Sequence, residues 1–326
     1  MRAPAFWYAP TGLAAQALAP LGWIYSAATR RRLAQPGYKA AVPVICIGNL
    51  NVGGTGKTPT AIALIERLHA RGRQVAVVSR GYGGTLNGPL QVIETLHSAA
   101  QVGDEPLLLS AFAPTFIGRD RAAAVRLAQA SGAQVVLLDD GFQNPSVVKD
   151  LSIVVVDASL GFGNGHCLPA GPLREPVKTG LTRADLVLAI GDAAAQTTFA
   201  TRWGAQMTHP VVQGALEPLA MGMDWHGARV IAFAGIGNPA KFFATLRAEG
   251  ADVLRSVALD DHQPLGEALM KRLKIEALAR GAQLVTTEKD AVRLPQRFRT
   301  QVLTLVVRLK LADWSVIDAG FRRLGL

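Results

Sequence analysis

The chain has 326 residues, of which 49% are hydrophobic and 18% charged, and its formal net charge is +10. This length suits two modest domains or one large one, and it can bury a core without disulfides or metals. A mean hydropathy of +0.23 is high for a soluble enzyme but too low for a protein with many membrane spans. The basic surplus favours anionic partners: acidic lipid, phosphorylated substrates or nucleic acid. Cys46 and Cys167 lack metal-type spacing, which indicates a reducing compartment.

The amino terminus is apolar and ends in a basic cluster. Residues 3–29 carry no charge, and three arginines follow at 30–32. Pro10 and Pro20 argue against a signal peptide, and the apolar stretch barely reaches the roughly 20 residues that a transmembrane helix needs. We favour a helix that lies on the inner face of a membrane, with its arginines at acidic lipid. A helix packed on the protein's own core is the alternative.

Strands and helices then alternate along the chain. The predicted strands are 42–47, 74–79, 115–117, 135–138, 153–156, 186–190, 230–234, 252–258 and 283–286. The predicted helices are 58–71, 105–111, 120–130, 239–249 and 264–280. This alternation predicts an α/β fold with a mostly parallel sheet covered by helices on both faces, and ligands bind such sheets at the carboxyl ends of the strands. Residues 191–228 are less regular, and we predict the linker region there.

The strongest motif lies between the first predicted strand and the helix that follows it. It approximates the P-loop pattern, in which glycines let backbone N–H groups converge on phosphates, a lysine reaches the β- and γ-phosphates, and a hydroxyl binds Mg²⁺. The first position deviates, but we expect Asn to tolerate the positive φ of the usual glycine. A glycine-rich turn without nucleotide is the alternative. The predicted ATP-binding residues are Asn51, Val52, Gly53, Gly54, Thr55, Gly56, Lys57 and Thr58.

Carboxylates follow two other predicted elements. Asp139 comes after an apolar strand, which fits a metal-positioning acid of P-loop enzymes, although an isolated aspartate there is more often a turn residue. Asp104 and Glu105 precede a helix, where a carboxylate could accept the proton of a substrate hydroxyl. A helix N-cap explains Asp104 equally well from spacing alone.

Histidine and arginine side chains provide weaker signals. His262 follows Asp260 and Asp261, and it could orient a catalytic carboxylate or bind phosphate, although most single histidines do neither. Arginine forks suit phosphate recognition, although some will be surface charges. The four arginines near predicted strand or turn ends are Arg80, Arg119, Arg121 and Arg174.

Six short motifs occur in a specific order: VGGTGKTP at 52–59, SRGYG at 79–83, GDEP at 103–106, DDGFQ at 139–143, PAGPLRE at 169–175 and TEKD at 287–290. Together with the apolar amino terminus, this set closely resembles the tetraacyldisaccharide 4′-kinase family of lipid A biosynthesis. The resemblance covers nearly the whole chain, and the ordered set is specific although each later motif is weak alone.

The resemblance implies a reaction and a site. The family transfers the γ-phosphate of ATP, with Mg²⁺, to the 4′-hydroxyl of a tetraacyl glucosamine disaccharide 1-phosphate, giving lipid IVA at the cytoplasmic face of the inner membrane. It implies catalysis by Asp104, His262 and Lys57, metal ligation by Thr58, Asp139 and Glu105, and substrate binding by Arg80, Arg119, Arg174 and Asp140. We expect a membrane-surface partner, and neither nucleic acid nor an obligate protein partner.

The predicted organisation is a membrane-associating helix (1–35), a P-loop kinase domain (36–220) and a smaller α/β domain (221–326) that closes over the site. One alternative function is a P-loop ATPase switch of the partitioning or metal-insertion type, which acts through protein partners. Such loops typically have a lysine before the paired glycines, where this chain has Val52. A noncatalytic membrane or nucleic-acid binder ranks last, because the basic residues are dispersed.

Overall fold

The structure is a computed structural model, and it describes residues 3–326. The strands in that range are β1 (Val44–Gly48), β2 (Val75–Ser79), β3 (Leu90–Val92), β4 (Thr115–Ile117), β5 (Val135–Asp139), β6 (Leu151–Asp157), β7 (Leu186–Ile190), β8 (Val211–Pro218), β9 (Arg229–Ala234), β10 (Asp252–Ala258), β11 (Gln283–Thr287), β12 (Val302–Leu305) and β13 (Val307–Leu311). The α-helices are α1 (Leu13–Leu33), α2 (Lys57–His69), α3 (Ala99–Val102), α4 (Asp104–Leu109), α5 (Arg121–Ala130), α6 (Val177–Leu181), α7 (Ala193–Trp203), α8 (Pro239–Ala248), α9 (Glu267–Ala279), α10 (Glu288–Ala291) and α11 (Ser315–Arg323).

Nine strands form the larger sheet, in the order β13-β8-β7-β6-β1-β5-β2-β4-β3. All neighbours are parallel except β13 with β8 and β3 with β4, the two pairs at the edges. The central strands β1, β5 and β6 are buried along their whole length, as expected for parallel strands covered on both faces. The carboxyl ends of these three strands therefore meet at one edge of the sheet.

Helices cover both faces of the larger sheet. Because successive side chains of a strand point to opposite faces, Val44 and Cys46 pack in one core with α5 and α7. Ile45 and Ile47 pack in the other core with α2 and α11. The mostly parallel α/β sheet with helices on both faces, predicted from the sequence, is confirmed.

The smaller sheet has four parallel strands in the order β10-β9-β11-β12. Helix α9 packs on one face through Met270 and Leu273, and α8 packs on the other through Phe242 and Leu246. After this sheet the chain returns to the larger one, where β13 pairs with β8. The smaller sheet is thus inserted between two adjacent strands of the larger sheet.

One prediction from the sequence is wrong. Residues 191–228, predicted to be a linker region, contain helix α7 and strand β8, and β8 joins the larger sheet. Strand β8 was missed because its sequence, VVQGALEP, has neither a continuous apolar run nor strict alternation of apolar and polar residues. Its burial does alternate in the structure, where Val212 and Gly214 are buried and Val211 is exposed. Strands β3, β12 and β13 and helix α11 were also not predicted.

The amino-terminal helix α1 packs on the protein through a narrow stripe. Its buried residues, Ala15, Gly22 and Thr29, are spaced seven apart and so lie on one face. Trp23 and Ile24 are 72% and 68% exposed, so large apolar side chains point away from the protein. Among residues 3–326, no helix has both the length and the apolar character required to cross a membrane.

Candidate active site

The P-loop connects β1 to α2 at the carboxyl edge of the larger sheet. Gly53 and Gly56 have φ values of 115° and 95°, which glycine adopts without the steric penalty of a side chain. The Asn49 side-chain amide donates hydrogen bonds of 3.2 Å to the Gly53 carbonyl and the Thr55 hydroxyl. These bonds fix the loop before the amino terminus of α2, which is a favourable position for phosphate.

Asn51 fits the loop for a reason that differs from the predicted one. We expected it to adopt the positive φ of the usual glycine, but positive φ among non-glycine residues of the described range occurs only at Asp140 and His262. The Asn51 side chain instead donates a 3.0 Å hydrogen bond to the Gly161 carbonyl, and its backbone pairs with Leu173. Asn51 therefore anchors the loop to a neighbouring segment.

Two cations converge on the Asp140 carboxylate beside the P-loop. Lys57 Nζ lies 3.7 Å from Asp140 Oδ1, and Arg174 Nη1 donates to both carboxylate oxygens at 2.9 and 3.2 Å. Burial raises the pKa of Asp140, but the charges of Lys57 and Arg174 more than offset it, so the pKa lies below its ordinary value. Asp140 thus holds two cations where phosphate oxygens could bind them.

Asp139 is a buried carboxylate at the end of β5. Its Oδ2 accepts a 3.1 Å hydrogen bond from the Ser79 hydroxyl, and its Oδ1 has no hydrogen-bond partner among the described residues. Burial, with the charges of Glu105 and Asp140, raises the pKa of Asp139 to about 7. A bound cation would stabilise the ionised form of a buried carboxylate that lies close to other carboxylates.

A cation at this edge would need oxygen ligands beyond these carboxylates. Within residues 3–326, no three His, Cys, Asp or Glu side chains are close enough together to bind a metal ion. Mg²⁺ usually keeps waters and uses one or two protein groups with substrate phosphates, so this sparse set still fits it. Thr58, in the first turn of α2, is half-buried beside the P-loop.

The predicted pairing of Asp104 with His262 is present in the structure. His262 Nδ1 lies 2.9 Å from Asp104 Oδ2, although Asp104 begins α4, which packs on the larger sheet, and His262 lies in the loop after β10 of the smaller sheet. The N-cap of α4 is Gly103, with φ 92°, so the alternative of Asp104 as the N-cap is wrong. Burial raises the pKa of Asp104, but the hydrogen bond from His262 and the charge of Lys289 hold it below its ordinary value. The same hydrogen bond raises the pKa of His262.

Glu105, a predicted metal ligand, is engaged in an ion pair across the two sheets. Lys289 Nζ, from α10, donates a 3.0 Å hydrogen bond to Glu105 Oε1. Burial lowers the pKa of Lys289, but the charges of Glu105 and Asp104 outweigh it and raise the pKa overall. The charge of Glu105 also raises the pKa of Asp139, so these two predicted metal ligands are neighbours.

The four arginines occupy different positions. Arg174 contacts Asp140, whereas Arg80 and Arg119 are exposed after β2 and β4. Arg121 is 4% exposed, and burial lowers its pKa to about 10 although the Asp139 charge opposes this effect. Arg121 is therefore a buried arginine whose charge interacts with Asp139 and Asp140.

Several residues at this edge had no role assigned from the sequence. Gln143 donates to the Asn49 carbonyl at 2.8 Å, which ties the segment after β5 to the strand end before the P-loop. Lys289 and Asp290 belong to the TEKD motif at 287–290. The sequence therefore identified them as part of the family pattern but gave them no function. Arg293 belongs to none of the motifs, and only the structure brings it to Asp104, with its Nε 3.7 Å from Asp104 Oδ2.

Comparison with known proteins shows which family the chain belongs to. The family model described as tetraacyldisaccharide-1-P 4′-kinase matches residues 14–323. The chain belongs to the tetraacyldisaccharide 4′-kinase family. A relative from Dinoroseobacter shibae named tetraacyldisaccharide 4′-kinase is 60% identical, over 98% of this chain and 96% of its own length. A relative of the same name from a Jannaschia species is 59% identical, over 98% of each chain.

A solved structure supports the kinase-family fold over the same length. The crystal structure of LpxK from Aquifex aeolicus in complex with ATP has a TM-score of 0.75 with this chain at 25% identity, and the match covers 95% of this chain and 99% of that one. The family resemblance predicted from the six motifs is confirmed, and the chain is a kinase of this family.

Proposed function

We propose that this kinase transfers the γ-phosphoryl group of ATP to the 4′-hydroxyl of a tetraacyl glucosamine disaccharide 1-phosphate, giving lipid IVA. Family membership over almost the whole chain and the names of its relatives support this reaction. The observation that carries the proposal is the position of the Asp104–His262 pair. Its neighbour Glu105 is close enough to Asp139, at the end of β5, for the charge of Glu105 to raise the pKa of Asp139. A phosphate-binding loop and a candidate proton acceptor are thereby brought together.

The larger sheet supplies the donor side. Backbone amides of the P-loop would bind the triphosphate, and Lys57 would contact the β- and γ-phosphates. Arg174, held 2.9 Å from Asp140 Oδ1, is a second cation for the phosphate that is transferred. As the γ-phosphoryl group is transferred, negative charge spreads over its oxygens. These cations are already in place, so they stabilise that charge without having to move.

We propose that Thr58, Asp139 and Glu105 are the protein ligands of Mg²⁺. The buried Oδ1 of Asp139, which has no hydrogen-bond partner among residues 3–326, supports this assignment. When bound, Mg²⁺ supplies positive charge that neutralises the phosphate oxygens. Glu105 would have to release Lys289, its ion-pair partner at 3.0 Å, or share its second oxygen.

Asp104 and His262 supply the acceptor side. Asp104 would orient the sugar 4′-hydroxyl and accept its proton as the oxygen bonds to the γ-phosphorus and the bond from phosphorus to ADP breaks. A carboxylate kept ionised by its hydrogen bond to His262 is ready to accept that proton. We propose that the small sheet, within 221–326, closes over the site, because His262 and Lys289 both reach the larger sheet from there.

We propose that the enzyme works at the cytoplasmic face of the inner membrane and that α1 (within 1–35) lies on the bilayer. The acceptor is an amphiphile that stays in the membrane, so the enzyme must reach it there. The exposed Trp23 and Ile24 and the arginines that end the helix fit insertion beside acidic headgroups. The alternative function, an ATPase switch acting through protein partners, is not favoured, because the matched relatives are kinases.

The test is phosphate transfer to the lipid. Purified protein is incubated with Mg-ATP and the tetraacyldisaccharide 1-phosphate in detergent, and the product is analysed by mass spectrometry and ³¹P NMR. We expect the lipid to gain one phosphate at the sugar 4′ position, in amounts equal to the ADP formed. ADP production with no phosphorylated lipid, or the same rate without lipid, would support the ATPase switch instead.

A further inference from the structure

We propose that Arg293, oriented by Asp290, is a positioning residue that holds His262 against Asp104. This inference rests on the proposed function, because it concerns the acceptor side of that reaction. Neither residue touches the P-loop in the contacts of the described chain, and neither is proposed to contact substrate. Their effect would act entirely through the geometry of the Asp104–His262 pair.

The Arg293 guanidinium reaches three different segments. Its Nη2 donates a 2.8 Å hydrogen bond to the Gly235 carbonyl, in the loop after β9. Its Nη1 donates a 3.0 Å hydrogen bond to the Gln263 carbonyl, in the loop after β10. Its Nε has no hydrogen-bond acceptor within the described residues and faces Asp104 Oδ2 at 3.7 Å. One planar side chain thus links the loops after β9 and β10 to the Asp104 carboxylate at the start of α4.

Asp290 fixes the orientation of that guanidinium. Its side chain is fully buried, and it forms an ion pair with Arg293 Nη2. Asp290 also accepts hydrogen bonds from the Gly235 backbone amide, at 3.1 and 3.2 Å, and from the Thr287 hydroxyl, at 2.7 Å. A buried carboxylate with this many donors is stably placed, so Arg293 has few alternative orientations.

His262 depends on this arrangement because its backbone is unusual. Its φ is 58°, a left-handed conformation that a non-glycine residue adopts at an energetic cost and keeps only when its surroundings hold it. The His262 amide donates a 3.2 Å hydrogen bond to the same Gly235 carbonyl that Arg293 contacts. The next residue, Gln263, supplies the other carbonyl that Arg293 binds. The residue is therefore held on both sides by groups that Arg293 ties together.

Removal of the guanidinium should therefore loosen the Asp104–His262 hydrogen bond while the P-loop stays intact. The first test variant is Arg293→Met, which keeps an unbranched apolar side chain without the guanidinium. We expect kcat for lipid phosphorylation to fall about 10- to 100-fold, as when catalytic groups are slightly misplaced, with KM for ATP nearly unchanged. Arg293→Lys, which keeps a charge but loses the fork, should recover part of the loss. Asp290→Asn should also lower kcat, because it removes the charge that orients Arg293.

A matched control separates positioning from loss of an ion pair. Arg255 lies in the same small sheet and pairs with Glu276, away from both site loops. Arg255→Met should lower the melting temperature at most modestly and leave kcat unchanged. Each variant's melting temperature is measured alongside its kinetics. If Arg293→Met fails to fold, Arg293→Lys and Asp290→Asn carry the test. Both should have a kcat below that of the wild-type protein.

The decisive readout is a double-mutant cycle with His262→Ala. If Arg293 acts through His262, Arg293→Met should cost less than about threefold in kcat once His262 is absent, because the two effects are not additive. An undiminished loss in the His262→Ala background, a parallel rise in KM for ATP, or wild-type kcat in Arg293→Met would overturn the inference. Failure of the wild-type protein to phosphorylate the lipid would instead reject the proposed function.

Discussion

The two sheets hold their site residues in different ways. On the larger sheet, the P-loop is fixed within one domain by glycines with positive φ and by hydrogen bonds from Asn49 and Asn51. On the smaller sheet, His262 is itself at positive φ and reaches its partner Asp104 only across the boundary between the sheets. The proposed phosphate-binding side therefore lies within the larger sheet and its helices, whereas the proposed acceptor side forms only where the two sheets meet.

This difference separates binding from turnover. Changes at the P-loop should weaken nucleotide binding and catalysis together, because the phosphates are held there in both the ground state and the transition state. Changes at the acceptor side should affect turnover and leave ATP affinity intact. The contrast would be lost if variants of the acceptor side weakened ATP binding as much as variants of the P-loop do.

The largest effect is expected for Asp104→Ala. Loss of a general base typically costs 10²- to 10⁴-fold, so we expect kcat to fall by about 10³-fold, with KM for ATP within about threefold of the wild-type value. Steady-state kinetics with varied ATP and saturating lipid measure both constants. Equal losses in kcat and ATP affinity would mean that Asp104 has a structural role.

Lys57→Ala should affect both constants. The lysine lies beside Asp140 at the P-loop, and removing one charge-stabilising group typically costs about 10²- to 10³-fold in kcat. We also expect weaker binding of ATP, measured by calorimetry in the absence of lipid. Full kinase activity in this variant would remove the P-loop from the mechanism.

Lys289→Met tests the contribution of the smaller sheet to the carboxylates of the larger one. Removal of the ammonium leaves Glu105 without its 3.0 Å partner, and we expect kcat to fall about tenfold as domain closure weakens. Lys310→Met is the control, because Lys310 pairs with Glu217 at the exposed edge of the larger sheet. If both variants have wild-type kcat, the ion pair between the sheets does not support catalysis.

The smallest effect concerns how the returning chain attaches to the larger sheet. Arg67 and Arg71 on α2 contact Asp318 on α11, with Arg67 Nε 3.1 Å from Oδ1 and Arg71 Nη2 2.8 Å from Oδ1. Because Arg67 is partly exposed and water screens the pair, we expect Asp318→Asn to lower the free energy of unfolding at pH 7 by only about 1 kcal/mol.

The pH dependence of that difference gives its sign. The hydrogen bond from Arg67 is the main cause that holds the pKa of Asp318 below its ordinary value, so the ion pair stabilises the folded state above the unfolded pKa. The stabilisation should decrease progressively as the pH falls from about 3.9, the pKa of an aspartate in an unfolded chain, through the lower pKa of the folded state. Denaturant titrations of both proteins at pH 7 and pH 3 measure this. A pH-independent difference would mean that packing, rather than charge, explains the effect.

The larger sheet was predictable where each strand could be recognised from its own residues. Strands β4 and β7 were predicted to the residue, as was β10 of the smaller sheet, because each is an apolar or alternating run between clear turns. Strand β13 was missed because it follows β12 after a single residue, so the sequence does not indicate that the chain changes sheets there. Pairing between distant segments is a property of the tertiary structure and is not encoded in local periodicity.

The site was predictable to the extent that its residues lie in short motifs. The P-loop, Asp139 and the Asp104–Glu105 pair each follow or precede a recognisable element, and the family resemblance added the partnership with His262. Arg293 was missed because its role comes from three contacts to separate segments, and no local pattern marks such a residue. The positive φ expected for Asn51 was wrong, because its backbone pairs with Leu173 in a long-range contact that the sequence does not indicate.

A crystal structure with Mg²⁺ and a non-hydrolysable ATP analogue tests the central division of the site most directly. The account predicts the triphosphate within hydrogen-bond distance of backbone amides between residues 53 and 58 and of Lys57 Nζ, with Asp104 and His262 near the γ-phosphate but not bonded to it. A triphosphate bound by the loops of the smaller sheet, with residues 51–58 free of ligand, would contradict it.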